Sequence, residues 1–183
     1  MLTGMTICII YGLCIVKVHA LTTNILSVYR YQQQNSQWCW AACAQMEGKY
    51  LTGSFRAQWE MVNFILGNPD ANQGVNSLQL RNACKYATYN NHSFGETGSF
   101  LYYSSYKTNI DQSKPLVLWL SNYDYGSGNH VVFAYGYLPY ENTDGIRFYD
   151  PLKQVNNVST ITHTKLRYGY DSAVGQWTNT ICP

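Results

Sequence analysis

The chain has 183 residues, of which 46% are apolar and 12% charged, and its formal net charge is +2. This composition is typical of one globular domain with a sizeable core, and it excludes an intrinsically disordered chain. No cluster of lysine and arginine occurs along the sequence. We therefore expect no nucleic-acid partner and no binding to an anionic membrane surface.

The first twenty residues differ from the rest of the chain. An apolar run, Ile7–Val16, is followed by Lys17 and then by Val18-His19-Ala20, a small-residue pattern like a signal-peptidase site. The run is about half of the roughly 20 residues that cross a bilayer, so a retained membrane anchor is the less favoured alternative. We predict a signal peptide over residues 1–20, a mature domain over residues 21–183, and a secreted protein with no stable membrane insertion after cleavage.

Four of the six cysteines remain after residues 1–20 are removed: Cys39, Cys43, Cys84 and Cys182. An even number of cysteines in an oxidising compartment favours two disulfides. If Cys39 stays a free thiol, only one disulfide can form among the other three. We expect that disulfide to join Cys43 and Cys84, which leaves Cys182 unpaired.

The first half of the mature sequence predicts helices. Residues 21–34 have no helical period and are interpreted as an extended lead-in. Ser36 is an acceptable N-cap for a helix over Trp38–Glu47, which ends at Gly48 and places Cys39 in its first turn. The apolar spacing and the turn residues around them predict three further helices: Phe55–Leu66, Ser77–Ala87 and a short one over Ser104–Gln112.

The second half predicts strands. Apolar runs bounded by turn residues indicate strands at Leu116–Leu120, His130–Leu138 and Ile146–Asp150, with more sheet over Val158–Arg167. Helices followed by strands predict an α+β fold in place of alternating βαβ units.

Cys39 and His130 are the candidate nucleophile and base. A thiol attacks carbonyls well only as the thiolate, which a helix N-terminus and a nearby histidine both favour. Cys39 has the first by position. His130 begins an apolar strand directly after the flexible segment Tyr125–Asn129, so its side chain can be held firmly and still face a cleft.

Asp150 is the candidate that orients the histidine. It ends the strand before Pro151, and two antiparallel strands joined by the turn segment Pro139–Gly145 bring their outer ends together. The midpoint between His130 and Asp150 falls at residue 140. Direct contact therefore requires the chain to reverse on the Pro139 side of the turn segment or a β-bulge to shift the register.

Acyl transfer also needs donors for the developing oxyanion. The backbone N–H of Cys39 is one, because of its place at the helix start. Side-chain amides just upstream are candidates for the second, namely those of Gln32, Gln33, Gln34 and Gln37.

Three segments together resemble a known family: Gln33–Cys43, Asn129–Val132 and Tyr149–Pro151. They resemble the papain-like cysteine peptidases, in particular compact C39-like and secreted effector forms with a Cys-Trp-Ala-Ala-Cys helix. The resemblance implies a helical half packed against an antiparallel sheet, with the active site in the cleft between them. It also implies that Gln33, six residues before Cys39, completes the oxyanion hole.

We therefore predict a cysteine peptidase with catalytic residues Cys39, His130, Asp150 and Gln33, acting through a thioester acyl-enzyme on a peptide or protein substrate. No cofactor or metal is expected, since no pair of Cys or His residues with ligand spacing has a partner pair downstream. The chain is expected to be a monomer. Two alternatives remain open: an acyl transferase of transglutaminase type with the same triad, and a non-catalytic binding protein stapled by disulfides.

Overall fold

A computed structural model describes residues 22–123, 128–169 and 175–183. The predicted signal peptide and most of the segment Tyr125–Asn129 lie outside the described residues. Within these ranges the chain forms helices and strands in the following order: β1 (Asn24–Ile25), α1 (Cys39–Thr52), α2 (Gln58–Leu66), α3 (Ser77–Ala87), β2 (Gly95–Glu96), α4 (Tyr103–Asp111), β3 (Leu116–Tyr123), β4 (Gly128–Tyr140), β5 (Thr143–Tyr149), β6 (Val158–Thr162), α5 (His163–Tyr168) and β7 (Gln176–Cys182).

The predicted α+β class is confirmed. One antiparallel sheet has the strand order β2-β7-β3-β4-β5-β6, and β1 pairs with β4 outside this path. Helices α1, α2 and α3 pack on one face of the sheet, and α4 and α5 pack on the other. The central strands are thus buried on both faces, which explains why β3 and β4 are nearly continuous apolar runs in the sequence.

Helix α1 begins at Cys39 and continues through Gly48 to Thr52, so the predicted end at Gly48 is wrong. The helix instead ends at Gly53, whose φ of 70° is the left-handed conformation common at helix C-termini. Gly48 has a packing role, because a Cβ there would lie 2.5 Å from the backbone oxygen of Ala87 in α3. The absent side chain lets the two helices approach closely.

Ser36 is not the N-cap of α1. Trp38 occupies that position without a side-chain capping bond. The Ser36 hydroxyl instead accepts a hydrogen bond from the Asn72 amide at 2.9 Å, which ties it to the loop between α2 and α3.

A β-bulge in β4 changes which residues face each side of the sheet. The pairing with β5 shifts between Ala134 and Gly136. Before the bulge, Phe133 packs with the α1 side and Ala134 with the α4 side; after it, Tyr137 packs with the α4 side. One extra residue inverts the alternation of a strand, so the bulge keeps large side chains buried on both faces.

The last predicted strand is only partly correct. Val158–Thr162 forms β6, but residues 163–168 form helix α5, where the side chain of Thr162 caps the Lys165 backbone N–H. The β-branched residues around His163 favour a strand by propensity, but the cap at Thr162 starts a helix at this point of the chain. Strand β7 was not predicted, although it pairs with β3 in the centre of the sheet.

Candidate active site

Cys39 lies at the first residue of α1, flanked by two buried tryptophans. The indole N–H of Trp38 donates to the carbonyl of Ala71 at 2.8 Å, and that of Trp40 donates to the carbonyl of Gln73 at 3.0 Å. Both tryptophans therefore belong to the core. Their polar ends hold the α2–α3 loop beside the nucleophile.

His130 and Asp150 are in direct contact. The Nε2 atom of His130 lies 2.7 Å from Oδ1 of Asp150, and the two residues are 3% and 0% exposed. The Cys39 side chain is also hydrogen-bonded to His130. Because Nε2 faces Asp150, Nδ1 is the ring nitrogen available to the thiol. Three residues separated by up to 111 positions are thus joined in the order Cys39, His130, Asp150.

The hairpin register explains how Asp150 reaches His130. The chain reverses at Glu141 and Asn142, both with positive φ, so the expected reversal on the Pro139 side is wrong. The second condition, a β-bulge that shifts the register, is met: the bulge after Ala134 moves the pairing by one residue in the direction that brings Asp150 toward His130. Side chains close the remaining offset, since residues diagonal to one another across two strands are within reach.

The electrostatics favour a charged pair. Burial by itself would lower the pKa of His130, but hydrogen bonds with Asp150 and Cys39 and the charges of both groups raise it from 6.5 to about 9. Burial likewise opposes ionisation of Asp150, yet the hydrogen bond and charge of His130 hold its pKa below the usual 3.8. The backbone N–H of Leu152 donates to the same carboxylate at 3.0 Å. Asp150 therefore stabilises an imidazolium.

Gln33 lies in the turn that precedes α1. Its amide nitrogen donates to the carbonyls of Asn35 and Ser36, each at 2.8 Å, and its backbone N–H donates to the carbonyl of Pro151 at 3.0 Å. The side-chain oxygen is buried and has no hydrogen-bond partner. Gln33 thus links the nucleophile turn to the segment after Asp150. To stabilise an oxyanion, the Gln33 amide would give up its hydrogen bond to one of these two carbonyls and donate to the substrate oxygen instead.

A cavity of about 220 Å³ opens beside Cys39. Its walls come from α1, the α2–α3 loop and strands β3 and β4, and include Trp40, Gly74, Val75, Trp119 and Val131. Trp119 is only half-buried and lines this cavity. The sequence contains no sign of this role, because the cavity exists only where the loop meets the sheet.

The predicted disulfide between Cys43 and Cys84 is not present: these two residues, Cys39 and Cys182 are all free thiols. The Cys43 thiol instead donates to the carbonyl of Val131 at 3.6 Å. Burial raises the pKa of both Cys43 and Cys84 well above 9, so both stay protonated at neutral pH.

Two further observations concern the described residues alone. None of their helices is both long and apolar enough to cross a bilayer. Within the same ranges, no group of three or more histidine, cysteine, aspartate or glutamate side chains is placed to hold a metal ion.

A helix that begins at a cysteine packs here on an antiparallel sheet that carries His130 and leads into Asp150, the arrangement that the resemblance to papain-like cysteine peptidases implied. The sequence profile of the Peptidase_C39 like family matches residues 25–178. The chain therefore belongs to this family. The fold is similar to the crystal structure of a candidate C39-like peptidase from Bacillus anthracis, with a TM-score of 0.64 and 13% identity over 88% of this chain and 96% of that one. A comparison with curated protein sequences found no match.

Proposed function

We propose that the protein hydrolyses peptide bonds through a thioester acyl-enzyme, with Cys39 as nucleophile, His130 as acid and base, and Asp150 as the group that orients His130. The observation that carries this proposal is the buried contact of 2.7 Å between His130 and Asp150, with Cys39 hydrogen-bonded to the same imidazole. Family membership supports a cysteine peptidase and therefore a peptide or protein substrate.

In the first half of the reaction, His130 takes the proton of the Cys39 thiol, and the resulting thiolate attacks the carbonyl carbon of the substrate. The negative charge that develops on the carbonyl oxygen is stabilised by the backbone N–H of Cys39 and by the Gln33 amide. Protonated His130 then gives its proton to the leaving amine as the C–N bond breaks. The product of this half is a thioester on Cys39.

In the second half, neutral His130 takes a proton from water, which attacks the thioester carbonyl. The C–S bond breaks, the acid product leaves, and the thiolate–imidazolium pair is restored. Asp150 fixes the ring tautomer throughout and stabilises the positive charge on the ring. Since Asp150 accepts from Nε2–H, Nδ1 is the ring nitrogen that exchanges the proton in both halves.

Labelling with a papain-directed epoxide, followed by peptide mapping, tests the assignment of the nucleophile. We expect modification at Cys39, no modification in Cys39→Ala, and loss of peptide cleavage by at least about 10³-fold in that variant. Cys182→Ala is the matched control and should keep both labelling and cleavage. Labelling at Cys182 or Cys84, or no labelling at all, would contradict the proposal.

Product analysis with an added primary amine separates hydrolysis from acyl transfer. We expect the free acid as the product in the presence and absence of the amine. Accumulation of the amide would instead identify a transferase with the same triad.

We propose further that the mature protein acts outside the cytoplasm as a monomer. The apolar run Ile7–Val16 and the segment Val18–Ala20 support secretion. N-terminal sequencing of protein recovered outside the cell should give Leu21 as the first residue, and light scattering of this protein should give the mass of one chain. A retained residue 1 or a dimer mass would contradict these two expectations respectively.

A further inference from the structure

We propose that Gln58 is a positioning residue for the oxyanion hole, because its side-chain amide holds the backbone on both sides of Gln33. This inference rests on the proposed function, in which the Gln33 amide stabilises the oxyanion. The Nε2 atom of Gln58 donates to the carbonyl of Gln32 at 2.9 Å, and its Oε1 atom accepts from the backbone N–H of Gln34 at 3.0 Å. One side chain thus bonds both chain neighbours of Gln33.

The backbone determines the orientation of the Gln58 amide. A carbonyl only accepts and a backbone N–H only donates, so the amide nitrogen must face Gln32 and the amide oxygen must face Gln34. The second hydrogen on Nε2 goes to Oε1 of Gln45 at 3.1 Å, and Nε2 of Gln45 donates to the carbonyl of Arg56 at 2.8 Å. Each bond in this network has one possible direction, so the network specifies one arrangement.

The network is buried where three segments meet. Gln58 is the first residue of α2 and is 1% exposed, whereas Gln45 belongs to α1 and is 3% exposed. A buried amide without a hydrogen-bond partner costs about 1–3 kcal/mol, and these two amides avoid that cost by bonding one another and the backbone. Because α1 begins at Cys39, the network joins the nucleophile helix, α2 and the segment that carries Gln33.

Gln33 depends on such support because it lies outside any helix or strand. Its own backbone N–H is held by the carbonyl of Pro151 at 3.0 Å, and Gln58 holds the residues before and after it. A donor to an oxyanion must lie within about 2.7–3.1 Å of the oxygen. A displacement of the Gln33 backbone by about 1 Å would therefore weaken the bond that forms in the transition state.

The test compares Gln58→Met with Gln45→Met by kcat, KM, melting temperature and the rate of Cys39 alkylation by iodoacetamide. Gln45 is the matched control, because it is buried in the same network and bonds neither neighbour of Gln33. We expect Gln58→Met to lower kcat about tenfold or more with KM and alkylation unchanged, since alkylation forms no oxyanion. Gln45→Met should lower the melting temperature but reduce kcat by less than about threefold.

A double variant separates the positioning of Gln33 from any other effect of the change at Gln58. In Gln33→Ala there is no side-chain amide to position, so adding Gln58→Met should lower kcat by less than about twofold more. Gln58→Glu has nearly the same shape and keeps an acceptor for the Gln34 N–H, but it lacks the two amide hydrogens. It should show the same separation of cleavage from alkylation, and it replaces Gln58→Met in the comparison if that variant does not fold.

An unchanged kcat in Gln58→Met and Gln58→Glu would overturn the positioning role. Equal losses of cleavage and alkylation, equal losses of kcat in Gln58→Met and Gln45→Met, or an additive loss in the Gln33→Ala background would overturn it as well. Full cleavage by Gln33→Ala would overturn the role of Gln33 and that of Gln58 with it. Cleavage by Cys39→Ala would overturn the proposed function itself.

A second inference concerns Cys43, which the proposed mechanism does not use. We infer that Cys43 is a positioning residue that ties the nucleophile helix to the strand of the base. It lies one helical turn after Cys39, and its thiol donates to the carbonyl of Val131, the residue that follows His130. One weak S–H···O bond thus joins the backbones that carry both reacting groups.

The surroundings of Cys43 suit this role. The side chain is fully buried, and the raised pKa keeps its hydrogen in place as a donor. Cys84 provides a matched comparison, because it is equally buried in α3 and is also a protonated thiol. Neither Cys84 nor its helix carries a member of the triad.

The test compares Cys43→Ala, Cys43→Ser and Cys84→Ala by kcat, KM, melting temperature and the pH profile of Cys39 alkylation. Loss of one hydrogen bond predicts a decrease in kcat of about 3- to 10-fold in Cys43→Ala, with KM unchanged and a shifted pH profile. Cys43→Ser retains a donor and should recover most of kcat. Cys84→Ala should lower the melting temperature without changing kcat or the profile.

An unchanged kcat and pH profile in Cys43→Ala would overturn this inference. Equal loss of kcat in Cys43→Ala and Cys84→Ala, or no recovery in Cys43→Ser, would also overturn it, since these results indicate only general destabilisation. Labelling of Cys39 by the epoxide tests the proposed function separately.

Discussion

The two sides of the candidate active site are built from different kinds of sequence information. The nucleophile side, Gln33–Cys43, is one continuous segment in which a turn leads into a helix. The base side joins His130 from β4 to Asp150 beyond β5, and their contact depends on the turn at Glu141 and Asn142 and on one bulge. A local motif therefore identifies the nucleophile, whereas strand register decides whether the base has its partner.

The base side should be the more sensitive to small changes, and Asp150→Asn tests this with the largest expected effect. Loss of the carboxylate removes the charge that raises the pKa of His130. We expect kcat/KM to fall by roughly 10²- to 10⁴-fold. In the wild type, activity should decrease as pH rises through about 9, where His130 loses its proton; in the variant this decrease should begin at lower pH.

The same pair links stability to pH. The raised pKa of His130 contributes stability that is complete below pH 6.5 and is lost as pH rises through about 9. The lowered pKa of Asp150 contributes stability present above pH 3.8 and lost as pH falls below that value. Denaturant unfolding at several pH values checks both directions. Identical pH dependence in wild type and Asp150→Asn would contradict the charged pair.

On the nucleophile side, Gln33→Ala should reduce kcat by roughly 10²- to 10³-fold if the amide stabilises the oxyanion. Alkylation of Cys39 by iodoacetamide forms no oxyanion, so its rate should change little. Gln34→Ala is the matched control, because the hydrogen bond of Gln34 to Gln58 uses the backbone N–H. Equal losses in cleavage and alkylation would show that Gln33 only shapes the turn.

The packing beneath the nucleophile side can be tested at Gly48. In Gly48→Ala, the new Cβ would lie 2.5 Å from a backbone oxygen of α3. Because the clashing atom belongs to the backbone, rotation of a side chain cannot relieve the contact. We expect a decrease in the free energy of unfolding of about 1–3 kcal/mol, measured by denaturant titration. Gly74→Ala, with its nearest contact at 3.8 Å, should change this free energy by less. A larger decrease in the free energy of unfolding in Gly74→Ala than in Gly48→Ala would contradict the packing role of Gly48.

Glu47 is fully buried in α1, and neither of its carboxylate oxygens has a hydrogen-bond partner. Burial raises the pKa of Glu47 well above 4.5, so wild-type stability falls as pH rises above 4.5. In Glu47→Leu, the free energy of unfolding at pH 7 should be roughly 1–3 kcal/mol higher than in the wild type, and this increase should be smaller at pH 4. A pH-independent difference would contradict this account.

Local sequence was sufficient for several elements. The third helix was predicted over Ser77–Ala87 and is confirmed at both ends, and Asn76 and Gln79 form a capping box at its start. The start of α1 was confirmed as the place of Cys39, but its end was not, because Gly48 breaks a helix by propensity and here serves contact with Ala87. Propensity does not distinguish a glycine that ends a helix from one that permits packing.

By itself the sequence determined the α+β class, the helix that carries Cys39 and the candidate partners of Cys39, His130 and Asp150. Helix caps, apolar periods and the Gln33–Cys43 motif act over short distances, so they can be recognised without the fold. Only the tertiary structure decided the register that joins His130 to Asp150, the free state of Cys43 and Cys84, and the cavity lined by Trp119. Each of these depends on how distant segments pack, and the free energy that selects the packing is shared across the whole core rather than encoded at one position.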